Sequence, residues 1–597
     1  MKNTINTEPF FLNHQNRKLF VTLYTPSNHA LDHWVLHFPA FAEEMNKSRK
    51  MVSAQARSFA GMGMTVVVPD LYGTGESGGD FSEADWSVWC ADMLYLVDWM
   101  RAQGAIKIHF WGLRLGALLA LDVARRLNNP VSSLLLWQPV CTGARMLTQF
   151  LRLRTVAGFM DGQQEKVSDL RTQLGQGTSL EIAGYRLSPK LANELDELNL
   201  SLMLPAAGTK INWLELTKTS DTPLPIDKQR IVESWQHHGV EITVELVAGE
   251  PFWMTPEITL VPDLILRSEE GVRAAISCPR DDGAVMDGGD LNEPVSCQTP
   301  TPEEVSENVA TERPLNFACQ GERLIGVIHP GRQPAQCGVL LVVGGPQYRV
   351  GSHRQFVLLA RDLAESDIPV FRFDYRGMGD SSGDLIGFEG ITDDIATAMD
   401  CFQHECPGLT EVVILGLCDA ATAAALYAAD DERVQGLVLL NPWVRSDAGE
   451  ARTYIRHYYL NRLFSKGFWR KLRAGRVDYW SALNSFFELV VRATGRGSSH
   501  AVPSTADPRI SQSDLSLALR LERALETFTG KVLLVLSGND FTAAEFRQAV
   551  DASSAFQSIV AQGRFRIKQI DEADHTFSRT VWRDAVTAEI RDWLKSW

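Results

Sequence analysis

Three residues of this 597-residue chain have the types and the spacing for covalent catalysis. Cys418 sits in Leu415-Gly416-Leu417-Cys418-Asp419-Ala420, between an apolar run and an alanine-rich stretch; Asp540 closes the run VLLVLSGND; His575 follows in IDEADHTFS. A thiol becomes a potent nucleophile when an imidazole takes its proton, and the imidazole needs a third group to orient it. In the chain order nucleophile, acid, histidine, Cys418 would attack an acyl carbonyl while His575 acts as base and then acid and Asp540 aligns the ring. A thiol there would gain from the helix N-terminus as well as from the imidazole. A lone cysteine is more often a small buried hydrophobe, so the reading rests on the three residues together.

The same chemistry needs donors for the oxyanion. One is the backbone N–H of Asp419; the other comes from the loop after the first core strand, Gly344-Gly345-Pro346-Gln347, where Pro346 has no N–H and either Gly345 or Gln347 serves. Strand, sharp turn and helix around a central nucleophile form the elbow of the α/β-hydrolases, whose triad runs in this order. Ala420 stands where that motif has its second glycine.

The elbow occurs twice. Trp111-Gly112-Leu113-Arg114-Leu115-Gly116 lies 304 residues upstream, with an arginine in place of the nucleophile. A second motif repeats at the same offset: Asp70, Gly73, Gly75, Ser77, Gly79 and Asp80 recur as Asp374, Gly377, Gly379, Ser381, Gly383 and Asp384. The chain is therefore a tandem of two related domains. Neither copy of that turn ends in the G-K-[ST] of a phosphate-binding loop, and both are read as crossover turns.

Arginine is permanently protonated, so Arg114 cannot perform acyl catalysis. The histidine is missing as well: after ITVELVAG the chain runs Glu250-Pro251-Phe252-Trp253, and the acid position survives as Asp221. A buried guanidinium without partners is unfavourable, so Arg114 is expected to pair with Asp221, Glu250 or both. The alternatives are a side chain reaching solvent and an anion site for a ligand carboxylate or phosphate. His37, alone in the matching loop, is expected to be packed or solvated.

Short apolar runs position these residues: VVVP at 66–69, KIHFW at 107–111 and LLLW at 134–137 in the first copy, and VLLVV at 339–343, VFRF at 370–373, VVIL at 412–415, LVLL at 437–440 and VLLVL at 532–536 in the second. Alternation with helical patterns predicts a mostly parallel sheet with helices on both faces in each copy. The expected limits are 1–270 for a non-catalytic first domain, 271–312 for a flexible linker and 313–597 for the catalytic domain. Residues 281–312 carry nine acidic residues and no Lys or Arg, the composition of a linker that buries little. An insertion at 444–496 interleaves Tyr454, Tyr458, Tyr459, Phe464, Phe468 and Trp469 with Arg452, Arg456, Arg462, Arg470, Lys471, Arg473 and Arg476. It reads as a helical lid or as a solvated amphipathic cap.

Net charge of −15 argues against nucleic-acid binding. The N-terminus has no signal-peptide core and no stretch reaches membrane-spanning length, which makes a cytoplasmic location the expectation. Nine scattered cysteines form no C-x-x-C pair, so neither a disulfide framework nor a metal site is expected, and no cofactor. The partners expected are a small acyl ester or thioester, with an acyl carrier protein or coenzyme A as the source of a thioester.

The motifs GGPQYRVGSHRQF, FDYRGMGDSSGD, GLCDA and DHTFS resemble the exosortase A system-associated hydrolase of type 1, a relative of the S33 serine aminopeptidases; HFPAFAEEMNKSR, PDLYGTGESGGD, GLRLG and GEPFW are similar to the type 2 hydrolase of the same system. The resemblance implies a fusion of two proteins, a bacterial origin and an association with exopolysaccharide production and PEP-CTERM protein sorting. It does not imply a substrate. The reading is an ester or thioester hydrolase or acyltransferase; a non-catalytic scaffold or ligand-binding protein is the second reading and a peptidase the third.

Overall fold

In the computed structural model, residues 5–27, 31–160, 165–219, 222–277, 312–444 and 516–596 are described. Runs such as TVVVP at 65–69 and VFRFD at 370–374 are buried along their whole length, as strands covered on both faces must be. In the first copy the strands are β1 (Ile5–His14), β2 (Arg17–Pro26), β3 (His33–Phe38), β4 (Thr65–Pro69), β5 (Lys107–Leu113), β6 (Ser133–Trp137), β7 (Lys210–Thr217) and β8 (Glu241–Ala248). They form one sheet in the order β1-β2-β4-β3-β5-β6-β7-β8. Pairing is antiparallel at β1–β2 and β2–β4 and parallel from β4 to β8.

The second copy repeats this order. Its strands are β9 (Arg313–Cys319), β10 (Glu322–His329), β11 (Cys337–Val342), β12 (Val370–Asp374), β13 (Glu411–Leu417), β14 (Val434–Leu440), β15 (Lys531–Ser537) and β16 (Phe565–Ile570), arranged β9-β10-β12-β11-β13-β14-β15-β16. Every apolar run singled out in the sequence is a strand, and the α/β class holds for both copies. Successive residues serve opposite faces: Leu36, Phe110 and Leu134 enter one cluster of the first copy, Val35, Trp111 and Leu135 the other. The 444–496 insertion and the acidic 281–312 segment fall, but for Val444 and Glu312, outside the described residues.

Compactness divides the chain into two units. The first holds Met1–Ile328 with Pro346–Leu358 and Asp374–Leu385; the second holds His329–Gly345, Leu359–Phe373 and Ile386–Trp597. Inside the first unit the repeated turn has the same construction twice. Asp70 Oδ2 accepts from Glu76 N at 2.8 Å and Ser77 Oγ donates to Asp70 O at 2.7 Å; Asp374 Oδ2 accepts from Asp380 N at 3.0 Å and Ser381 Oγ donates to Asp374 O at 2.6 Å. A Cβ at Gly75 would stand 2.1 Å from the Asp70 carboxylate, and one at Gly379 2.3 Å from that of Asp374, which fixes both glycines.

The carboxylates around these turns are paired with two buried arginines. Arg49 reaches Asp70 at 2.6 Å and Asp380 at 2.7 Å; Arg349 reaches Asp374 at 2.6 Å, Asp380 at 2.9 Å and Glu76 at 3.0 Å. Burial opposes ionisation of Asp380, but the two guanidiniums hold its carboxyl well below the usual range.

Candidate active site

The strand β13 ends at Leu417, and helix α3 (Asp419–Ala428) starts one residue after Cys418. The turn between them forces Cys418 to φ 62° and ψ −123°, a conformation that a side-chain-bearing residue adopts only under strain. Backbone bonds hold it there: Cys418 N donates to Leu440 O at 2.9 Å, and Cys418 O accepts from Ala421 N and Trp443 N, both at 3.1 Å. A Cβ on Gly416 would meet Ala420 at 2.5 Å, so the strand can approach the helix this closely only with glycine at 416. Ala420 is fully buried against it and takes the place of the motif's second glycine.

Asp540 caps the N-terminus of helix α4 (Phe541–Ala552), its Oδ2 accepting from Ala543 N at 3.0 Å. That oxygen also lies 3.0 Å from His575 Nδ1, in an approach not well aligned for a hydrogen bond. The other side of the ring serves Cys418, with which His575 is in hydrogen-bond contact. The structure thus brings Cys418, His575 and Asp540 together in the order read from the sequence.

Burial disfavours a charged imidazole, yet the contacts with Asp540 and Cys418 push the His575 pKa up to about 10. Burial also raises the Cys418 thiol, and the His575 contact only partly offsets it. The help expected for the thiolate from the helix N-terminus is opposed by the first residue of that helix: the Asp419 carboxylate works against a second negative charge beside it. Proton loss therefore belongs to the Cys418–His575 pair rather than to either group.

Asp419 also decides the state of one oxyanion candidate. Its Oδ1 accepts from Ala420 N at 2.9 Å and its Oδ2 from Gly345 N at 3.2 Å, so the Gly345 amide is already engaged. A Cβ at Gly344 would stand 1.9 Å from Asp419 Oδ1. The Asp419 N–H is directed at the Cys418 sulfur, where a donor for the nearby oxyanion is wanted. Gln347 belongs to the segment Pro346–Leu358 of the first unit, and its side-chain oxygen accepts from Ser352 N at 3.0 Å.

The first copy has the same bend with different contents. Between β5 and helix α2 (Leu115–Arg126), Arg114 adopts φ 57° and ψ −116°; its N–H donates to Trp137 O at 2.9 Å and its carbonyl accepts from Ala117 N at 3.2 Å and Val140 N at 3.4 Å. The guanidinium does find a carboxylate, but it is Glu44, near the start of helix α1 (Glu43–Gly61), at 3.1 Å. Its other face lies over the Trp253 ring at 5.1 Å. Burial raises the Glu44 carboxyl, with Arg114 pulling it back. Glu250, one of the two expected partners, is exposed, because the chain leaves β8 and turns Phe252 and Trp253 inward instead. Asp221 lies outside the described residues. The Glu44 pair also removes the net positive charge that an anion site at Arg114 would need. His37 is buried against Trp111 at 4.2 Å, and burial pushes its pKa down to about 3.

Two further residues of the second site have no motif. Asn441, directly after β14, and Ser537, the last residue of β15, are fully buried and tie the strand ends to the loop that carries His575. Among the described residues no group of three or more His, Cys, Asp or Glu is placed to hold a metal ion, and no helix is long and apolar enough to cross a membrane.

Residues 338–577 match the family Hydrolase_4, described as serine aminopeptidase, S33. Its strand order and elbow give the second copy the α/β-hydrolase fold, and over residues 338–577 it is similar to that hydrolase family. No curated protein matches the chain in sequence. Among solved structures, an esterase of Pyrococcus furiosus is 12% identical, covering 48% of this chain and 91% of its own, with a TM-score of 0.33. Est1E of Butyrivibrio proteoclasticus, solved with ferulic acid bound, is 15% identical over 45% of this chain and 99% of its own, with a TM-score of 0.33.

Proposed function

We propose that the second copy hydrolyses or transfers acyl groups from esters or thioesters through Cys418, His575 and Asp540. The observation that carries this is the joint placement of a strained elbow cysteine and an imidazole in contact with it, whose far nitrogen lies 3.0 Å from a helix-capping carboxylate. In the reaction, Cys418 sulfur bonds to the acyl carbon as its proton passes to His575. The tetrahedral oxyanion collapses, and His575 returns the proton to the departing alkoxide or thiolate. Water or an acceptor hydroxyl then attacks the acyl-enzyme with His575 as base, and Cys418 leaves as the thiol.

Thioesters suit a sulfur nucleophile. The basic and aromatic composition of 444–496 supports an anionic carrier such as a phosphopantetheine arm. The resemblance to the exosortase-associated hydrolases supports a role in bacterial exopolysaccharide production, and the want of any long apolar run in the sequence supports a cytoplasmic setting. The test is turnover of p-nitrophenyl acetate and acetyl thioesters by the full chain and its Cys418→Ala variant, with mass spectrometry of the acylated protein. Equal turnover by both proteins would end the reading.

Two observations favour the second reading, a non-catalytic binding protein: the Gly345 amide is held by Asp419, and burial raises the thiol. Under it, acyl compounds bind without a covalent adduct at Cys418.

A further inference from the structure

Asn441 occupies an uncommon backbone region for a residue with a side chain, φ 45°, and is fully buried. Its backbone N–H and both ends of its side-chain amide are engaged. The backbone N–H donates to Val535 O at 3.1 Å; Oδ1 accepts from Ser537 N at 2.8 Å; Nδ2 donates to Ser537 Oγ at 2.9 Å and to His575 O at 2.9 Å. Ser537 Oγ in turn donates to Asp574 O at 2.8 Å. Two consecutive carbonyls of the histidine loop, 574 and 575, are thus fastened to the ends of β14 and β15. The loop also approaches so closely that a Cβ on Gly538 would stand 1.9 Å from Asp571 O.

The first copy supplies a control for what this residue must do structurally. At the equivalent place, directly after β6, Gln138 also has φ 45°; its N–H donates to Leu214 O at 2.9 Å and its Oε1 accepts from Leu216 N at 2.6 Å. The bond between this side chain and the neighbouring strand is therefore common to both copies. The amide nitrogen differs: in Gln138 it turns to Glu215 at 2.7 Å, and in Asn441 it reaches the carbonyl of the histidine. The shared bond serves the sheet, and the bond to residue 575 appears in the copy that has an imidazole to place.

We propose that Asn441, with Ser537, is a positioning residue for His575, holding the backbone of its loop so that the ring stands between Asp540 and Cys418. The inference rests on the acyl-transfer reading of this site. Removing the tie lets the ring drift, and a reacting group misplaced by ~1 Å loses roughly a hundredfold in rate.

The experiment uses the full chain with Asn441→Gln, Ser537→Ala and Asn441→Ala. Gln138 shows that glutamine at this bend keeps the strand bond, so Asn441→Gln should fold with a Tm near that of the parent. With p-nitrophenyl acetate it should lose on the order of ten- to a hundredfold in kcat at unchanged KM. By NMR, its His575 titration should move from about 10 toward the ordinary imidazole value as contact with Asp540 and Cys418 loosens. Unchanged kcat and titration in Asn441→Gln would overturn the proposal. So would a Tm loss in all three variants with the His575 titration unmoved, since that is a structural role alone. A parent protein without Cys418-dependent turnover would sink the acyl-transfer reading instead, and the titration would still report on the tie.

Discussion

Arg114 and Cys418 occupy the same bend on different chemical terms. Their dihedral angles agree within 7°, and each donates its N–H to the end of the next strand and accepts on its carbonyl from the helix that follows and from the chain after that strand. Around Cys418 the neighbours are an imidazole and a capping aspartate; around Arg114 they are a glutamate from α1 and a tryptophan face. The backbone alone thus does not make a site. What distinguishes the two is which side chains the surrounding loops and helix starts deliver.

The comparison breaks most visibly at the nucleophile. Cys418→Ala should lower kcat for an activated ester by about 10⁶-fold, the scale seen when an acyl-transfer nucleophile is deleted, while Arg114→Ala leaves turnover at the parent level in the same assay. Next in size is the pH dependence. With His575 raised to about 10, the pair holds one proton too many near neutrality, so kcat/KM should climb nearly tenfold per pH unit from 7 toward 10. A flat profile over that range would show that the pair is already in its working state. The same shift makes a stability statement. The imidazolium contribution is fully present below the unfolded value near 6.5 and is lost as pH rises through about 10, which thermal melts of the parent and of His575→Ala across that window would register.

Smaller effects sharpen the first copy. Glu44→Gln leaves the Arg114 guanidinium without its carboxylate and should lower stability by about 1–3 kcal/mol in denaturant unfolding, with partial recovery in the Glu44→Gln, Arg114→Met double variant. Asp419→Asn removes a negative charge beside the sulfur and should lower the thiol pKa, seen as a few-fold faster alkylation by iodoacetamide at pH 8. The smallest effect is a null one: Arg114→Cys puts a thiol on a correctly bent backbone with His37 buried against Trp111, and should add no turnover to a Cys418→Ala background.

Much of this was legible in the residues. Buried strands announce themselves as short apolar runs, and the offset of 304 between two glycine-spaced turns shows the duplication in the residues alone. The order of Cys418, Asp540 and His575 was readable because each follows the end of a strand. Glu44 was not, because it lies 70 residues before Arg114 on another element, and no local pattern links a helix start to a distant turn. Asn441 and Ser537 were missed for a related reason: polar residues at strand ends look like ordinary loop punctuation until the loop they hold is in place. The opposing charge of Asp419 was visible as a letter, but its effect on the sulfur depends on a distance.

The bend at Arg114 has one more implication. A backbone in that region is less favourable by about 1–3 kcal/mol than a relaxed one, and at this position no reaction compensates for it. It persists because the carbonyl and amide of residue 114 stitch α2 and the chain after β6 to the end of β5. The turn is therefore held by backbone bonding that needs no reactive side chain. A search that recognises such enzymes by the shape of their main chain would count two centres in this protein, and one that reads the side chains would count one.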